Sequence, residues 1–524
     1  MRSIRAVESN WHGGSLTPAT RRAVLAGMLG VAAFASTFSS GFVGDDHRAI
    51  EANPAFAQGI GAVLRHDYWG ADKTGTWRPL PQASLYADAR IWSMRPGGFH
   101  LTNAVLHGAV CAMLVLALGA GPAAFAAGLV AAVLAPGGEA VQAIVGRADL
   151  LQALFCVLGL WLHRRGSLLA SVAFFCALLS KESAVVAPLA YAAFDAFTPS
   201  ERRTPWPAYL VAAAAYAGLR LAVVGTMMPV VQPQMNPLVL APPLESVLGA
   251  GRVLIERYAW GILDPFRRLY DCSGRECGPA PASDALAWGG LGLALGIVAA
   301  PVLLRARQPR AAAGIAWFAL FFLPVSNLFV RGPSLYGERL LYVPLLGLAV
   351  AAGMAVEWRL AARGAFAALC AFHLSAVQLR NLEWRSDHAL YPTAVDLAPR
   401  SARVQANYAL VLYDNGDFAA AEEHARRAVS LWPPGTLDSL GTLAASLDGL
   451  GRTEEAERTF AAAYLLGSDA ILAGQYATFL ARHERYESAL RVVRAERSRS
   501  PADARLRALE QRLVADLGTR SAGR

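Results

Sequence analysis

The sequence predicts an all-α protein: a polytopic bundle of about eleven membrane helices followed by an α-solenoid. Three observations predict it. Hydrophobic residues make up 55% of the 524 and charged ones 17%, with a mean hydropathy of +0.35, too apolar for a water-soluble protein of this size. Apolar runs recur from Ala23 to Leu379, many near the roughly 20 residues a helix needs to cross a bilayer. From Pro399 onward the composition becomes that of a soluble helical domain with an internal repeat.

The first run, Ala23 to Val43, stops against two adjacent carboxylates, Asp45 and Asp46. Charged groups beside the hydrocarbon are costly and are retained for an ion, a proton or a substrate, although a helix end is the cheapest place to keep one. Arg21-Arg22 and Ala33-Phe34-Ala35 around this run also fit a cleaved export signal. An uncleaved span is preferred, because a second membrane helix follows and the acids would otherwise begin the mature chain. A polar loop then leads to about Gly98. Further spans are expected at Phe99 to Leu118, Pro122 to Leu134, Leu150 to Leu162, Leu168 to Leu179, Ala184 to Phe197 and Trp206 to Met228. Ala285 to Leu304, Ala311 to Val330, Leu340 to Val356 and Ala361 to Leu379 complete the set. Gly249 to Phe266 is interrupted by Arg252, Glu256, Arg257 and Asp264, so it reads as a surface or cavity-lining helix.

The formal net charge of +9 is almost all arginine, Lys73 and Lys181 being the only lysines. No nucleic-acid module accompanies these dispersed cations, so they report topology. With the N-terminus in the cytoplasm, the inner loops receive Arg21-Arg22, Arg164-Arg165, Arg202-Arg203, Arg305, Arg307 and Arg310, and Arg359 with Arg363. The same count puts Asp45, Asp46, Glu139, Arg147, Asp149, Lys181, Glu182, Arg331, Glu338 and Arg339 on the outer face, as if lining a polar cavity that opens outward. Cys272 and Cys277 fall there too, in a polar loop at a spacing that admits a local disulfide, which would imply an oxidising compartment. The other cysteines lie in apolar runs, where cysteine is a small hydrophobe.

Near the C-terminus, Gly416-Asp417-Phe418 with Ala421, Gly451-Arg452-Thr453 with Ala456, and Glu484-Arg485-Tyr486 with Ala489 align at a period near 34 residues. That period, with small residues where paired helices touch, is the tetratricopeptide signature. Three units are about the minimum for a stable stack.

Each outer-face constellation has a bland reading beside the functional one. His100, Asn103 and His107 share one helix face and fit a sugar or metal, or equally hydrogen bonds between helices. Arg147 could hold a phosphate through its planar fork or pair with Asp149. Lys181, a compact cation in an arginine-rich chain, suits a ligand or a neutralised pair with Glu182. Arg331 and Arg339 open a span, as interfacial anchors or, taken with Arg147 and Lys181, as a site for a lipid phosphate.

Carboxylates and cations at an outer membrane surface suit transfer of a sugar from a polyprenyl phosphate, with a carboxylate as base and fixed cations receiving the leaving phosphate. The motifs Gly44-Asp45-Asp46, Trp77-Arg78-Pro79-Leu80, Gly98-Phe99-His100-Leu101-Thr102-Asn103 with His107, Gly146-Arg147-Ala148-Asp149-Leu150-Leu151, Ser180-Lys181-Glu182-Ser183 and Gly337-Glu338-Arg339-Leu340-Leu341-Tyr342, in this order, resemble the transmembrane and tetratricopeptide-repeat-containing O-mannosyltransferases. That family belongs to the GT-C superfamily.

The resemblance implies a dolichyl- or undecaprenyl-phosphate sugar donor, inverting transfer to a hydroxyl on protein or envelope glycan, and Asp45 or Asp46 as base. Arg147, Lys181, Arg331 and Arg339 are then expected at the donor phosphate. Arg78, His100, Asn103, His107, Glu139, Asp149, Glu182 and Glu338 are expected at the substrate. The adjacent acids offer oxygen ligands to Mg2+ or Mn2+, although some relatives work without a metal. The chain departs from the family pattern at Ala135, where a histidine is expected, in lacking one residue before Glu139, and in its short repeat array, which leaves the sugar and acceptor open.

The expected organisation is a cytoplasmic N-terminus (1–22), a transmembrane GT-C-like domain (23–380) with its first outer loop at 44–98, a linker (381–398), tetratricopeptide repeats (399–515) outside the membrane and available to a protein partner, and a disordered tail (516–524). The Ala and Arg bias points to the inner membrane of a bacterium with a GC-rich genome. A non-enzymatic repeat scaffold for envelope assembly and an O-antigen ligase or polymerase are the competing readings. The latter would carry its large outer loop late in the membrane region.

Overall fold

The computed structural model describes residues 16–69, 74–267, 269–355, 360–499 and 503–522. Residues 1–15, Lys73, Arg359 and residues 523–524 lie outside that set.

Helix α1 (Pro18–Ala33) starts where the Thr17 hydroxyl accepts the Thr20 N–H, with proline in the first turn where its missing donor costs nothing. It carries on as a 3-10 turn over Ala35–Ser39. The loop expected on the outer face then holds a π-helical turn at His47–Glu51 and α2 (Pro79–Trp92) before α3 (Pro96–Ala117) enters the bundle. The α1/α3 crossing is made by Gly27 and Gly108. A Cβ on Gly108 would stand 2.6 Å from the Gly27 carbonyl oxygen and 2.7 Å from Val31 Cγ2, so the two backbones touch as only small residues allow.

After α4 (Pro122–Val133) the chain bends by 56° and breaks into short turns at Ala135–Gly137, Glu139–Gln142 and Ile144–Gly146 before α5 (Arg147–His163). Every residue from 135 to 150 is buried. Irregular backbone in an apolar bundle persists where protein covers it, and this bent segment, a broken span or a re-entrant loop, becomes the floor of the polar site.

Helices α6 (Leu169–Ser180), α7 (Ala187–Phe197), α8 (Trp206–Val224), α9 (Pro243–Val253), α10 (Ala285–Leu304), α11 (Pro309–Phe322), α12 (Tyr342–Ala355) and α13 (Leu360–Glu383) follow. Each of the eleven apolar runs contains a helix. By length and composition, five of the described helices can cross a membrane alone, or six with the bent pair counted as one span. The difference arises because the remaining runs form shorter apolar helices, as at Leu169–Ser180 and Pro309–Val325, or end in turns. Together they make a multi-pass membrane protein. The interrupted segment is α9, a π-helical turn at Leu254–Ala259 and a short helix at Trp260–Leu263, with Arg252 paired to Glu256 and Asp284.

The last membrane helix closes on the first: Gln378 and Asn381 of α13 both donate to the Ala33 carbonyl, at 2.7 and 3.1 Å. The stretch expected as a linker is the end of α13 followed by α14 (Asp387–Leu397), packed on the first outer loop. Three helical hairpins then stack: α15 (Ala402–Asp414) with α16 (Phe418–Leu431), α17 (Leu437–Gly449) with α18 (Thr453–Leu466), and α19 (Ala470–Arg482) with α20 (Tyr486–Arg499). Ala421, Ala456 and Ala489, the small residues of the repeat pattern, are fully buried. A final helix, α21 (Ala504–Ala522), runs past residue 516, where a disordered tail is expected, and buries Leu506 and Leu513 against the stack.

Gly108→Leu should therefore wedge α1 from α3, at a cost of about 1–3 kcal/mol or more, and lower the unfolding temperature of detergent-solubilised protein. Gly296→Leu on α10, where an added Cβ meets nothing within 4 Å, should leave it unchanged.

Candidate active site

Asp45 and Asp46 follow Gly44, whose φ of +57° belongs to the left-handed region that glycine enters without penalty. A Cβ there would also stand 3.0 Å from the Tyr270 hydroxyl. This turn sends the two acids in different directions.

Asp46 is fully buried, and its carboxylate accepts three backbone N–H groups: Val145 at 2.9 Å, Ile144 at 3.3 Å and Val43 at 3.3 Å. It thus ties the first outer loop to the re-entrant segment. Burial pushes this carboxyl up to about 7, against the pull of the three donors, and neighbouring Asp45 adds to the rise.

Asp45 keeps 19% of its side chain exposed and lies between two arginines, Arg403 at 2.5 Å and Arg339 at 3.4 Å. Burial raises its pKa, but the two guanidinium groups outweigh burial and hold it below the usual carboxylate range. Arg339 reaches Glu139 of the re-entrant segment at 2.6 Å, while the backbone N–H of Arg339 donates to the same carboxylate at 2.9 Å. Arg403 comes from the first repeat helix and also approaches Asp271 at 3.5 Å.

A second group of ion pairs lies beside the first, around Tyr68, whose phenol feels the charges of Arg78, Asp46 and Arg339. Arg78 grips Glu182 through two hydrogen bonds of 3.1 and 2.7 Å and stands 5.5 Å from the Tyr68 ring. Burial raises the Glu182 carboxyl, but Arg78 overrides this and brings it down to about 2. Lys181 pairs with Asp149 at 2.6 Å. Burial is the main influence on the Lys181 ammonium and lowers its pKa.

Arg147 is sealed by Asp88 at 2.5 Å, Asn103 Oδ1 at 2.7 Å, Ser84 at 3.0 Å and the Phe99 carbonyl at 2.9 Å. The structure therefore brings Asp45, Glu139, Asp149, Lys181, Glu182, Arg78 and Arg339 into one charged region, with Arg147 as a buried brace beneath it.

The remaining residues hold the bundle together. His100 bonds the Gly41 carbonyl at 3.0 Å, and the Asn103 amide donates to the carbonyls of Val141, Ala143 and Ile144. His107 joins the Tyr342 hydroxyl at 2.7 Å and the Ala132 carbonyl at 3.2 Å. All three are at most 2% exposed. Arg331 bonds Ser246 and the Asn327 carbonyl, away from Asp45, and so pins its own turn. Glu338 is buried and meets Arg380 at 3.4 Å. Among the described residues, no group of three or more His, Cys, Asp or Glu side chains is placed to hold a metal ion.

Sequence reading missed Arg403, Asp271, Tyr68 and Asp387. Asp387 caps the site's edge: it accepts the Gly44 N–H at 2.9 Å and pairs with His47 at 2.7 Å, while His47 also bonds Glu51. Cys272 and Cys277 are disulfide-bonded with Cα atoms 5.3 Å apart, next to Asp271. Only the position of Asp271 beside Cys272 was visible as a signal. Arg403 lies 358 residues from Asp45 on a helix of unremarkable sequence.

No protein-family model matches the chain. Protein O-mannosyl-transferase TMTC1 of Mus musculus is 25% identical over 82% of this chain and 60% of its own length. The Homo sapiens TMTC1 is 26% identical over 83% of this chain and 58% of its own. Similarity concentrates locally, reaching 35% against Drosophila melanogaster Tmtc1 over 34% of this chain and 24% of that protein. The chain is similar, at low identity, to the protein O-mannosyl-transferases. It spans less than two thirds of the length of these relatives, at 60% or below. Among solved structures, the APC/C hetero-tetramer Cut9-Hcn1 aligns with 13% identity and a TM-score of 0.27 over 82% of this chain and 92% of that chain, too loosely to bear on the site.

His47 gives a pH test of the loop next to these acids. The Asp387 hydrogen bond raises its pKa most, burial opposes it and Glu51 adds, for a folded value of about 9 against 6.5 unperturbed. Stability from this contact should be complete below pH 6.5 and disappear as pH rises through about 9. Protease sensitivity of the 41–60 loop should rise over that window in the unmodified protein, and His47→Gln should flatten the dependence.

Proposed function

We propose that this protein is a membrane glycosyltransferase that moves a mannose-like sugar from a polyprenyl-phosphate donor to a hydroxyl on a protein or envelope glycan, at the non-cytoplasmic face, with inversion. The observation that carries this reading is the placement of Asp45. It is the one of the two acids with exposed surface, it stands between Arg339 and Arg403, and it abuts the charged region of Arg78, Lys181 and Glu139. Similarity to O-mannosyl-transferases supports the sugar and the acceptor class.

In this reading the acceptor oxygen attacks the anomeric carbon as the bond from that carbon to the phosphate oxygen breaks. The acceptor proton passes to Asp45, and the departing phosphate gains a negative charge that the arginines receive. Asp46 acts as a positioning residue, since its oxygens are already engaged by Val43, Ile144 and Val145. The repeats, placed outside the membrane, would present the acceptor.

The test is transfer of radiolabelled mannose from dolichyl- or undecaprenyl-phosphate mannose by purified protein in nanodiscs. Asp45→Asn should lower the rate by about 10²–10⁴-fold, the range for loss of a general base, with unfolding temperature retained. Asp46→Asn puts an N–H donor against backbone donors, so it should also lower stability, by about 1–3 kcal/mol. Full transfer by Asp45→Asn would overturn the reading. Absence of transfer from any polyprenyl donor, with partner capture by the repeats intact, would favour a scaffold.

A further inference from the structure

The first repeat unit reaches into the reaction centre, and the manner of its attachment bears on what it does there. The loop closed by the Cys272–Cys277 disulfide receives the start of α15: Asp271 accepts the Ser401 hydroxyl at 2.7 Å, and the Ser273 and Ser401 hydroxyls meet at 3.0 Å. Backbone bonds join the same surfaces, Arg275 N–H to the Arg400 carbonyl at 3.3 Å and Arg400 N–H to Glu276 at 3.1 Å. From this clasp the Arg403 side chain extends past the Tyr270 ring, 5.6 Å from its centroid, to Asp45 at 2.5 Å.

Exposure grades the cations, with Arg78 intermediate at 15% and gripped to Glu182 through two hydrogen bonds. The side chains of Arg147, Lys181 and Arg380 are 0%, 7% and 5% exposed and are closed in by their acids. Arg403 and Arg339 keep 20% and 21%, matching the 19% of Asp45 between them. These three form one small open face on which an anion can exchange with the carboxylate. An arginine paired with Asp45 keeps that acid ionised but engages its oxygens, which lowers its basicity. An incoming phosphate that took the guanidinium would free the carboxylate at the moment the sugar arrives.

We infer that Arg403, contributed by the tetratricopeptide domain, is a ligand of the lipid phosphate alongside Arg339, so that the site is complete only with the repeats docked on the disulfide loop. This inference rests on the proposed glycosyl transfer for its ligand and goes beyond it in assigning a repeat residue to the donor.

The experiment measures binding of dolichyl phosphate, without sugar, to the full chain in nanodiscs, with uncharged dolichol as control. Arg403→Gln should weaken dolichyl phosphate by about 10- to 100-fold, the scale of a lost charge-assisted pair, and leave dolichol unchanged. Arg403→Lys should recover part of that loss. If Arg403→Gln binds dolichyl phosphate like the unmodified protein while Arg339→Gln does not, this inference falls and the proposed function stands. If Gln and Lys variants lose affinity equally and both release the repeats to protease, Arg403 is a structural clasp and the inference falls. If the unmodified protein does not prefer dolichyl phosphate to dolichol, the proposed donor falls and the inference with it.

Discussion

The charged end of the bundle depends on one buried carboxylate meeting three backbone donors. Asp46 fixes Val43 on one side and Ile144 with Val145 on the other, so the first outer loop and the re-entrant segment keep a constant relation. Burying a carboxylate is costly unless its lone pairs are used, and here the donors belong to backbone that has left regular helix and needs acceptors of its own. Each partner settles the other's deficit. Asn103 repeats the device from below, offering its amide to the carbonyls of Val141, Ala143 and Ile144 while its oxygen receives Arg147.

On that foundation the charges are arranged as pairs. Arg339 with Glu139, Lys181 with Asp149, Arg78 with Glu182 and Arg147 with Asp88 each join segments distant in sequence. A buried ion pair adds little net stability, but removing one partner leaves a costly lone charge. The pairs therefore act chiefly to specify which loops meet.

Much of this was legible in the sequence, for identifiable reasons. Apolar runs and arginine placement report the bilayer directly, and the alanines at 421, 456 and 489 report the helix contacts of the repeats, because both constraints act locally along the chain. The acids and cations of the outer loops were legible as a set, since an odd charge in an apolar context stands out. Their individual roles were not. Nothing local distinguishes Asp45 from Asp46: the difference arises from the turn at Gly44 and from donors some hundred residues away. A polar group between spans has the same signature whether it meets a substrate or a neighbouring carbonyl, so sequence alone does not separate these two roles for Arg147 and His107. Arg403 was invisible, being one arginine among many on a soluble helix. The eleven runs outnumber the five or six described helices long and apolar enough to cross alone, because hydropathy registers an apolar run without registering where it bends, as at Val133.

The joint between the two halves of the molecule has a mechanical consequence. Gln378 and Asn381 fasten the last membrane helix to the end of the first, Arg385 accepts the Gly41 N–H through its carbonyl, and Asp387 holds Gly44. The repeat stack is thereby attached through a short hydrogen-bonded segment, with the disulfide loop as its second point of attachment. A displacement of the solenoid would therefore bear directly on the turn carrying Asp45, which Asp387 and Arg403 both contact.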